Sequence, residues 1–425
     1  MHYEQPAIQV AGGCLGRHRH VCAFFDTRDE EYRVLLPFIK EGLELGEKAI
    51  HIVDPVLRDE HLARLKGAGI GVEAAQARRQ LEVLDWNETY LQAGSFDRRA
   101  MTALVEEMLG RTRAEGFPCA RLVGHGDWAL QDACDLRTVV EYESRINEVL
   151  PRYPDPAVCV YDRSRFGAGT TMDVLRAHPV VLMDGVLQEN PSFLPPARLL
   201  PRLQMETVTL LRDRYLTAIV AGARREALEV AVEDALADDV PAARVYLDVV
   251  QAAQYEVGQL WHANRLSVAQ EHLATEISRS VIGHLQPHLP LQRRNGKRVV
   301  VACIEGELHD LGARMVADFL EMAGFEVTYL GANVPSENLV ALVRAKRPDL
   351  LALSVTRSSC VTALRRTVSA VRATGGDRIS IAAGGQVFLR RPDLCRRLGI
   401  DIHARNARDL IAVTERFFDE RRASS

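Results

Sequence analysis

The chain has 425 residues, of which 47% are hydrophobic and 26% are charged, and its formal net charge is −4. This balance is ordinary for a globular protein of two to four domains, at roughly 100–200 residues per domain, and it excludes a largely disordered chain or a collagen-like repeat. No apolar run is long enough to span a membrane and no secretory signal pattern opens the chain, so we expect a cytoplasmic protein. The eight cysteines form no C-x-x-C pair, which fits reduced thiols; they are Cys14, Cys22, Cys119, Cys134, Cys159, Cys303, Cys360 and Cys395.

Residues 15–196 form the first predicted domain. Its short apolar runs are HVCAFF, AIHIVD, LEVLDW, ARLVGHGDW and AVCVYD, and amphipathic helical stretches separate them. This alternation predicts an α/β domain with a mostly parallel sheet covered by helices. Residues 42–49 (GLELGEKA) lack the spacing of a phosphate-binding loop, so we do not expect nucleotide hydrolysis.

One residue pattern in this domain has ligand types suited to zinc or haem. Cys14, His18, His20 and Cys22 form C-x3-H-x-H-x-C. Side chains alternate between the two faces of a strand, so His18, His20 and Cys22 would share a face in any strand. The plain strand pattern is therefore the favoured interpretation, and a metal site is the alternative.

Two further groups of polar residues follow predicted strands. His125, Asp127 and Trp128 are candidates to line a ligand cleft at a strand end. The acidic and aromatic residues Glu30–Tyr32 are expected to cap the helix that follows.

The next two predicted domains differ in their pattern of helices and strands. Residues 203–286 contain four amphipathic segments with short connections, which predicts a four-helix bundle. A linker follows, and over residues 297–420 strands and helices alternate again. This second alternation predicts a five-stranded, doubly wound Rossmann-like domain of the flavodoxin type.

The clearest chemical signal lies in this last domain, where three short motifs each follow a predicted strand. An E-x-H-x-x-G segment comes first, 41 residues separate it from an S-x-T segment, and 27 more separate that segment from a G-G pair. Parallel strands place their carboxyl ends at one edge of a sheet, where such sheets bind ligands. A loop histidine there can bind a metal while neighbouring carboxylates orient its ring, and small residues leave a groove for a ligand tail. The motif residues are Glu307, His309, Asp310, Gly312, Ser354, Thr356, Gly384 and Gly385.

These motifs resemble the D-x-H-x-x-G, S-x-L and G-G signature of cobalamin-binding domains of the methionine synthase type. The resemblance implies that His309 is the lower cobalt ligand and that Ser354, with the glycine pair, accommodates the displaced nucleotide tail. Glu307 stands where the family has aspartate, and Thr356 stands where it has leucine.

A second motif, W-x9-E-H, lies in the helical region and comprises Trp261, Glu271 and His272. An indole can pack on a flat apolar ligand, and a carboxylate and an imidazole can supply hydrogen bonds. The spacing resembles CarH-type photoreceptors, which hold adenosylcobalamin in the dark. The resemblance implies that these three residues form the pocket for the adenosyl group. It also implies that His262 becomes an upper cobalt ligand after light has released that group.

The first domain is similar to the MEDS sensory domain, a RecA-like fold without the phosphate loop. The similarity rests on residues 20–55, on RLVGHGDWAL, and on CVYDRSRF with HPVVLMDG and NPSF. The resemblances together predict a cobalamin-dependent light sensor that is not an enzyme. It would form light-dependent homo-oligomers or bind a signalling partner, without direct DNA binding. Two alternatives stay open: a corrinoid protein in methyl transfer, and a light-independent sensor of cobalamin or of a one-carbon compound.

Overall fold

The computed structural model describes residues 8–91, 96–130, 135–374 and 379–423, and Cys134 lies outside them. The chain divides into two compact units, Met1–Met205 and Glu206–Ser425. Each unit contains an α/β sheet and is built around its own buried apolar residues.

The N-terminal unit contains a seven-stranded sheet in the order β5-β4-β6-β7-β3-β8-β9. All neighbouring strands are parallel except β8 and β9, which form an antiparallel edge pair. The strands are β3 (His20–Phe25), β4 (Lys48–Val53), β5 (Leu81–Asp85), β6 (Ala120–His125), β7 (Ala157–Asp162), β8 (Val180–Met183) and β9 (Val186–Glu189), beside a small hairpin of β1 (Ile8–Val10) and β2 (Gly13–Leu15). The predicted α/β class is confirmed, whereas the hairpin and the edge pair were not predicted as strands.

Side chains cap several helices of this unit, because the first backbone N–H groups of a helix lack partners inside it. Thr27 caps α1, Asp97 caps α4 and Asp135 caps α5. The helices are α1 (Arg28–Glu44), α2 (Arg58–Gly67), α3 (Val72–Ala77), α4 (Arg98–Ala114), α5 (Leu136–Val149) and α6 (Ala168–Ala177), with 3-10 turns at Pro55–Leu57, Asp127–Leu130 and Leu150–Arg152. These helices cover both faces of the sheet and bury its apolar strands.

Four helical segments follow this sheet in the chain and precede the next sheet. Two of them contain π-helical turns, at Glu229–Asp234 and Val245–Gln251, and such turns often occur at functional sites. The segments are α7 (Pro196–Ala221), then α8 (Arg224–Leu228) to α9 (Ala235–Ala237), then α10 (Ala242–Arg244) to α11 (Ala252–His262), and α12 (Val268–Leu285), which leads into a 3-10 turn at Gln286–His288. Their buried residues form one core with Met315 and Phe319 of the following α/β part.

The α/β part of the second unit is a five-stranded parallel sheet in the order β11-β10-β12-β13-β14. Its elements are β10 (Arg298–Cys303), α13 (Leu311–Met322), β11 (Glu326–Tyr329), α14 (Ser336–Lys346), β12 (Leu350–Ser354), a 3-10 turn (Ser358–Cys360), α15 (Val361–Ala373), β13 (Ser380–Gly384), α16 (Gln386–Arg390), α17 (Leu394–Leu398), β14 (Ile402–His403) and α18 (Ala407–Ala423). The strand order reverses between β10 and β12, and open α/β sheets bind ligands in the crevice at that point.

The observed order is the flavodoxin-like order expected from the sequence. The fifth strand, β14, has only two residues. Among the described helices, none combines the length and apolar character that a membrane span requires.

Candidate functional site

The loop after β10 holds His309 in a fixed orientation. The Glu307 carboxylate accepts hydrogen bonds from the His309 backbone N–H (2.9 Å) and lies 2.5 Å from His309 Nδ1. Its second oxygen accepts from the backbone N–H groups of Thr356 (2.7 Å) and Arg357 (3.0 Å), at the end of the neighbouring strand β12. A single buried carboxylate thus ties the histidine loop to the adjacent strand and leaves His309 Nε2 as the available nitrogen.

The electrostatics of this pair follow from these contacts. Burial raises the pKa of Glu307, but the hydrogen bonds from His309, Arg357 and Thr356 outweigh it and lower that pKa to about 2. The hydrogen bond to Glu307 raises the pKa of His309, burial opposes it, and the charges of Glu307 and Glu271 raise it further. Glu307 is therefore a carboxylate at neutral pH, and Glu271 lies near enough to the imidazole to act on it.

The other motif residues lie along the same edge of the sheet. Ser354, the last residue of β12, is in register with Cys303 of β10 and with Gly384 of β13. A Cβ added to Gly384 would meet no atom within 4 Å, so the surface beside it is open. Gly385 has a φ of +110°, and an added Cβ would lie 2.3 Å from the carbonyl oxygen of Val355, so only glycine fits there.

The second acidic residue of the loop has a different role from the one expected. The prediction that Asp310 helps to orient His309 is not supported, because its carboxylate pairs with Arg279 of α12 (2.7 and 3.2 Å) and accepts from the Tyr329 hydroxyl (3.1 Å). Gly312 is the second residue of α13. The sequence analysis did not identify Arg279 and Tyr329. Both contact Asp310 from other elements of the fold, and neither belongs to a motif.

The W-x9-E-H residues occupy the end of α11 and the start of α12. Trp261 is 38% exposed, although large apolar side chains are usually buried, and its ring centroid lies 4.7 Å from that of His262. Glu271 is partly buried and accepts from the Thr275 hydroxyl (3.1 Å), and His272 beside it is 74% exposed. The indole of Trp261 is therefore accessible. The polar side chain of His262 lies beside it, and those of Glu271 and His272 follow it in the chain.

Several contacts join the helical segments to the α/β part that carries His309. The Tyr246 hydroxyl donates to Asp318 of α13 (3.1 Å), and the two rings of Tyr246 and Phe319 pack edge to face at 5.8 Å. The Arg279–Asp310 pair in turn joins α12 to the histidine loop. The helical segments therefore pack against α13 and against the loop that carries His309.

The polar candidates of the N-terminal unit separate into two groups. His125 and Asp127 line a small cavity at the strand ends, and Glu31 pairs with His125 at 2.8 Å. Trp128 lies instead in the core, stacked on Tyr90 at 4.4 Å. Within Glu30–Tyr32, Glu30 accepts from the Asp26 N–H as a capping residue does, whereas Glu31 and Tyr32 line the cavity.

The C-x3-H-x-H-x-C pattern does not form one cluster. Cys14 and His18 are exposed, and the buried Cys22 thiol faces the carbonyl oxygen of Val180 at 3.6 Å. His20 is buried and lies among residues from other elements. His20 and Cys22 lie on β3, as the strand interpretation predicts, whereas His18 precedes that strand and Cys14 lies on β2.

Comparison with known protein families assigns the regions of the chain. Residues 19–179 match the MEDS model, described as "MEthanogen/methylotroph, DcmR Sensory domain". Residues 211–286 and 297–412 match two models that are each described as a B12 binding domain. The chain therefore carries a MEDS domain followed by a B12-binding module with a helical part and an α/β part.

Individual relatives match part of the chain. The HTH-type transcriptional repressor CarH of Myxococcus xanthus is 31% identical over 164 residues, which are 38% of this chain and 54% of that protein. The chain thus spans about half the length of that relative. Dimethylamine corrinoid protein 3 of Methanosarcina acetivorans is 25% identical over 210 residues, 49% of this chain and 97% of that protein. The solved monomethylamine corrinoid protein of Methanosarcina barkeri is 23% identical, with a TM-score of 0.44, and the match covers 48% of this chain and 97% of that one.

Proposed function

We propose that this chain, a MEDS domain joined to a B12-binding module, is a light sensor that uses adenosylcobalamin and signals through self-association or a protein partner. The observation that carries the proposal is the contact between the two segments that hold the motifs. Glu307 of the E-x-H-x-x-G loop lies 2.5 Å from His309 Nδ1. Arg279 of α12, the helix that carries the Glu271–His272 pair in its first turns, pairs with Asp310 beside His309. A corrin between these two motifs would be held from both faces.

The residues present fit cobalamin on its lower side. His309 is half exposed, and Glu307 occupies its Nδ1, so its Nε2 is available as the lower cobalt ligand. The nucleotide tail would lie along Ser354 and Thr356 and past Gly384 and Gly385, where the structure supplies open space and a backbone without side chains.

On the upper side, Trp261, Glu271 and His272 would surround the adenosyl group. Bound adenosylcobalamin supplies a cobalt–carbon bond that light can break. His262, next to Trp261 at the end of α11, would then bind the vacated upper face of the cobalt. Such a ligand change would give the two states of the protein different interaction energies, which any shift in their populations requires.

A second candidate is a corrinoid protein that carries methyl groups for a partner methyltransferase. It is favoured by the match that covers 97% of a dimethylamine corrinoid protein. A methyl carrier needs an upper face that opens to its partner, and a bulky indole at position 261 opposes that access. The third candidate function is a light-independent sensor of cobalamin or of a one-carbon compound.

The test uses the full chain, loaded with adenosylcobalamin and purified in darkness. Green light should change both its absorption spectrum and its elution volume in size-exclusion chromatography. His262→Ala should still lose the adenosyl group but give a different light-state spectrum, because the imidazole that would bind cobalt is absent. His284→Ala, which removes an exposed histidine at the end of α12, is the matched control and should behave like the wild type.

Two outcomes would contradict the proposal. A spectrum that stays constant under light, together with methyl transfer after addition of a methyl donor and its methyltransferase, would favour the carrier. A constant spectrum without methyl transfer would leave the light-independent sensor.

A further inference from the structure

Four metal-binding side chains from different elements meet in the interior of the N-terminal unit, away from the cobalamin motifs. They are His20 on β3, Glu143 on α5, Cys159 on β7, and His178, which follows α6. One ligand atom from each lies within 4.8 Å of all the others. His20, Glu143 and His178 are buried, and Cys159 is nearly so.

Four of the six separations among these atoms are those of a tetrahedral metal site, and the other two are at most 4.8 Å. Cys159 Sγ lies 3.4 Å from His20 Nε2 and 3.6 Å from Glu143 Oε2. The same Glu143 oxygen lies 3.3 Å from His20 Nε2 and 3.5 Å from His178 Nε2. Ligands at zinc distances of about 2.0–2.3 Å, placed at the corners of a tetrahedron, are separated from each other by roughly 3.3–3.8 Å. All four separations fall in that range.

Both histidines are held in the tautomer that a metal requires. His178 Nδ1 faces the carbonyl oxygen of Val174 at 2.8 Å, and His20 Nδ1 faces the side-chain oxygen of Asn147 at 3.1 Å. The amide nitrogen of Asn147 donates to backbone carbonyls, including that of Ala177 at 2.7 Å, so its oxygen must point towards His20. Each Nδ1 therefore carries the hydrogen, and each Nε2 directs a lone pair into the cluster.

With neutral imidazoles, this arrangement leaves the two Nε2 atoms and the Glu143 carboxylate facing one another as acceptors, with the Cys159 thiol as the donor among them. A cation or an added proton is therefore needed between them. His178 Nε2 is fully buried and makes no hydrogen bond, and its nearest polar neighbour in the cluster is a carboxylate oxygen. Glu143 is a buried carboxylate whose other oxygen accepts from the Tyr161 hydroxyl at 3.2 Å. Buried acceptors and charges without partners are costly, and a divalent cation would satisfy them at once.

The charges and the surroundings favour zinc. A thiolate at Cys159 and the carboxylate of Glu143 would neutralise a divalent ion, and a set of one sulfur, two imidazole nitrogens and one oxygen suits Zn²⁺. A cavity of about 30 Å³ adjoins three of the four ligands, and apart from them its lining is mainly apolar. The cavity therefore offers few other polar groups that could bind these four side chains in place of a metal. It has room for about one water-sized molecule.

We propose that His20, Glu143, Cys159 and His178 form a zinc site that joins β3, β7, α5 and α6. The site is independent of cobalamin, because it uses none of the residues assigned to that cofactor. It would tie together elements that are remote in the chain, so that metal binding contributes to the folding free energy of the N-terminal unit.

The test is the zinc content of the full chain, measured by mass spectrometry after expression in zinc-supplemented medium. We expect about one zinc per chain in the wild type. Cys159→Ser, which keeps the size of the side chain, should lower zinc retention at least tenfold, in the range of about 10–100-fold seen even for weaker perturbations of metal sites. Cys119→Ser is the matched control: it changes another buried thiol of the same unit and should retain zinc.

A second measurement covers the case in which Cys159→Ser does not fold. The wild-type chain, freed of metal by a chelator and expressed without cobalamin, is titrated with Zn²⁺ and with Co²⁺. Zn²⁺ should raise its Tm, and Co²⁺ should give the absorption bands of tetrahedral cobalt bound to a thiolate. A wild-type chain without zinc that responds to neither ion would overturn the proposal, as would wild-type zinc content in folded Cys159→Ser.

Discussion

At the scale of single residues, Glu307 performs more functions than its motif position indicates. Its two oxygens accept hydrogen bonds from two different elements, the histidine loop and the end of β12. The family resembled by the motif has aspartate at this position, and the longer side chain still contacts the imidazole. The substitution therefore keeps the function of the carboxylate.

Glu307→Gln tests this function. The amide has one accepting oxygen, so at least one buried N–H donor loses its partner, and we expect the free energy of unfolding to fall by about 1–3 kcal/mol. Cobalamin affinity should fall by roughly 10–100-fold, because the group that orients the metal ligand is weakened. Chemical denaturation and equilibrium titration with cobalamin measure the two effects. Glu305→Gln, which changes a partly exposed carboxylate of the same loop, should alter each only slightly. Equal effects of the two substitutions would contradict the assigned function.

Trp261→Ala tests the assignment of the helical segments as the adenosyl pocket. The indole is 38% exposed and lies outside the described buried core, so the variant should remain folded. We expect its preference for adenosylcobalamin over methylcobalamin to fall about tenfold, which corresponds to about 1.4 kcal/mol. Competition binding with the two cobalamins in darkness measures the preference. Val268→Ala, an exposed apolar residue at the start of α12, serves as the control. An unchanged preference in Trp261→Ala would exclude the indole from the pocket.

At the scale of elements, the junction between the helical segments and α13 depends on a buried polar network. Asp318 accepts from the Tyr246 hydroxyl and pairs with Arg314 at 3.0 Å. Burial raises the pKa of Asp318, and the charge and hydrogen bonds of Arg314, with that of Tyr246, only partly offset it. A carboxyl group with a raised pKa in the folded state contributes stability below its unfolded pKa and loses that contribution as pH rises through the folded pKa.

Asp318→Asn should remove this pH dependence. Relative to the variant, the wild type should lose stability as pH rises above about 4, the ordinary range of a carboxyl group. Urea denaturation of both proteins from about pH 3 to 7 measures the difference. Asp349→Asn is a control of opposite sign: burial raises the pKa of Asp349, but bonds from Arg298 and Lys297 overcome that effect and lower it. Wild type compared with Asp349→Asn should therefore gain stability as pH rises towards and through about 4, and keep that gain at higher pH. Parallel trends for the two substitutions would contradict the assignment.

At the scale of the whole molecule, the two proposed sites belong to different compact units. The cobalamin motifs around His309 lie in the second unit, and the proposed zinc ligands lie in the first. The two sets share no residue. Zinc content and cobalamin binding can therefore be varied and measured separately.

The sequence alone determined the α/β and helical classes and the candidate cobalamin residues. Strand periodicity is local, and the motif residues follow strands whose parallel pairing brings their ends to one edge, so spacing was sufficient to predict their proximity. Only the tertiary structure decided that Asp310 pairs with Arg279 instead of orienting His309. The same holds for His20, which meets Glu143, Cys159 and His178, not its sequence neighbours Cys14, His18 and Cys22. These contacts depend on how helices pack on a sheet. Local sequence patterns do not show which distant side chains that packing brings together.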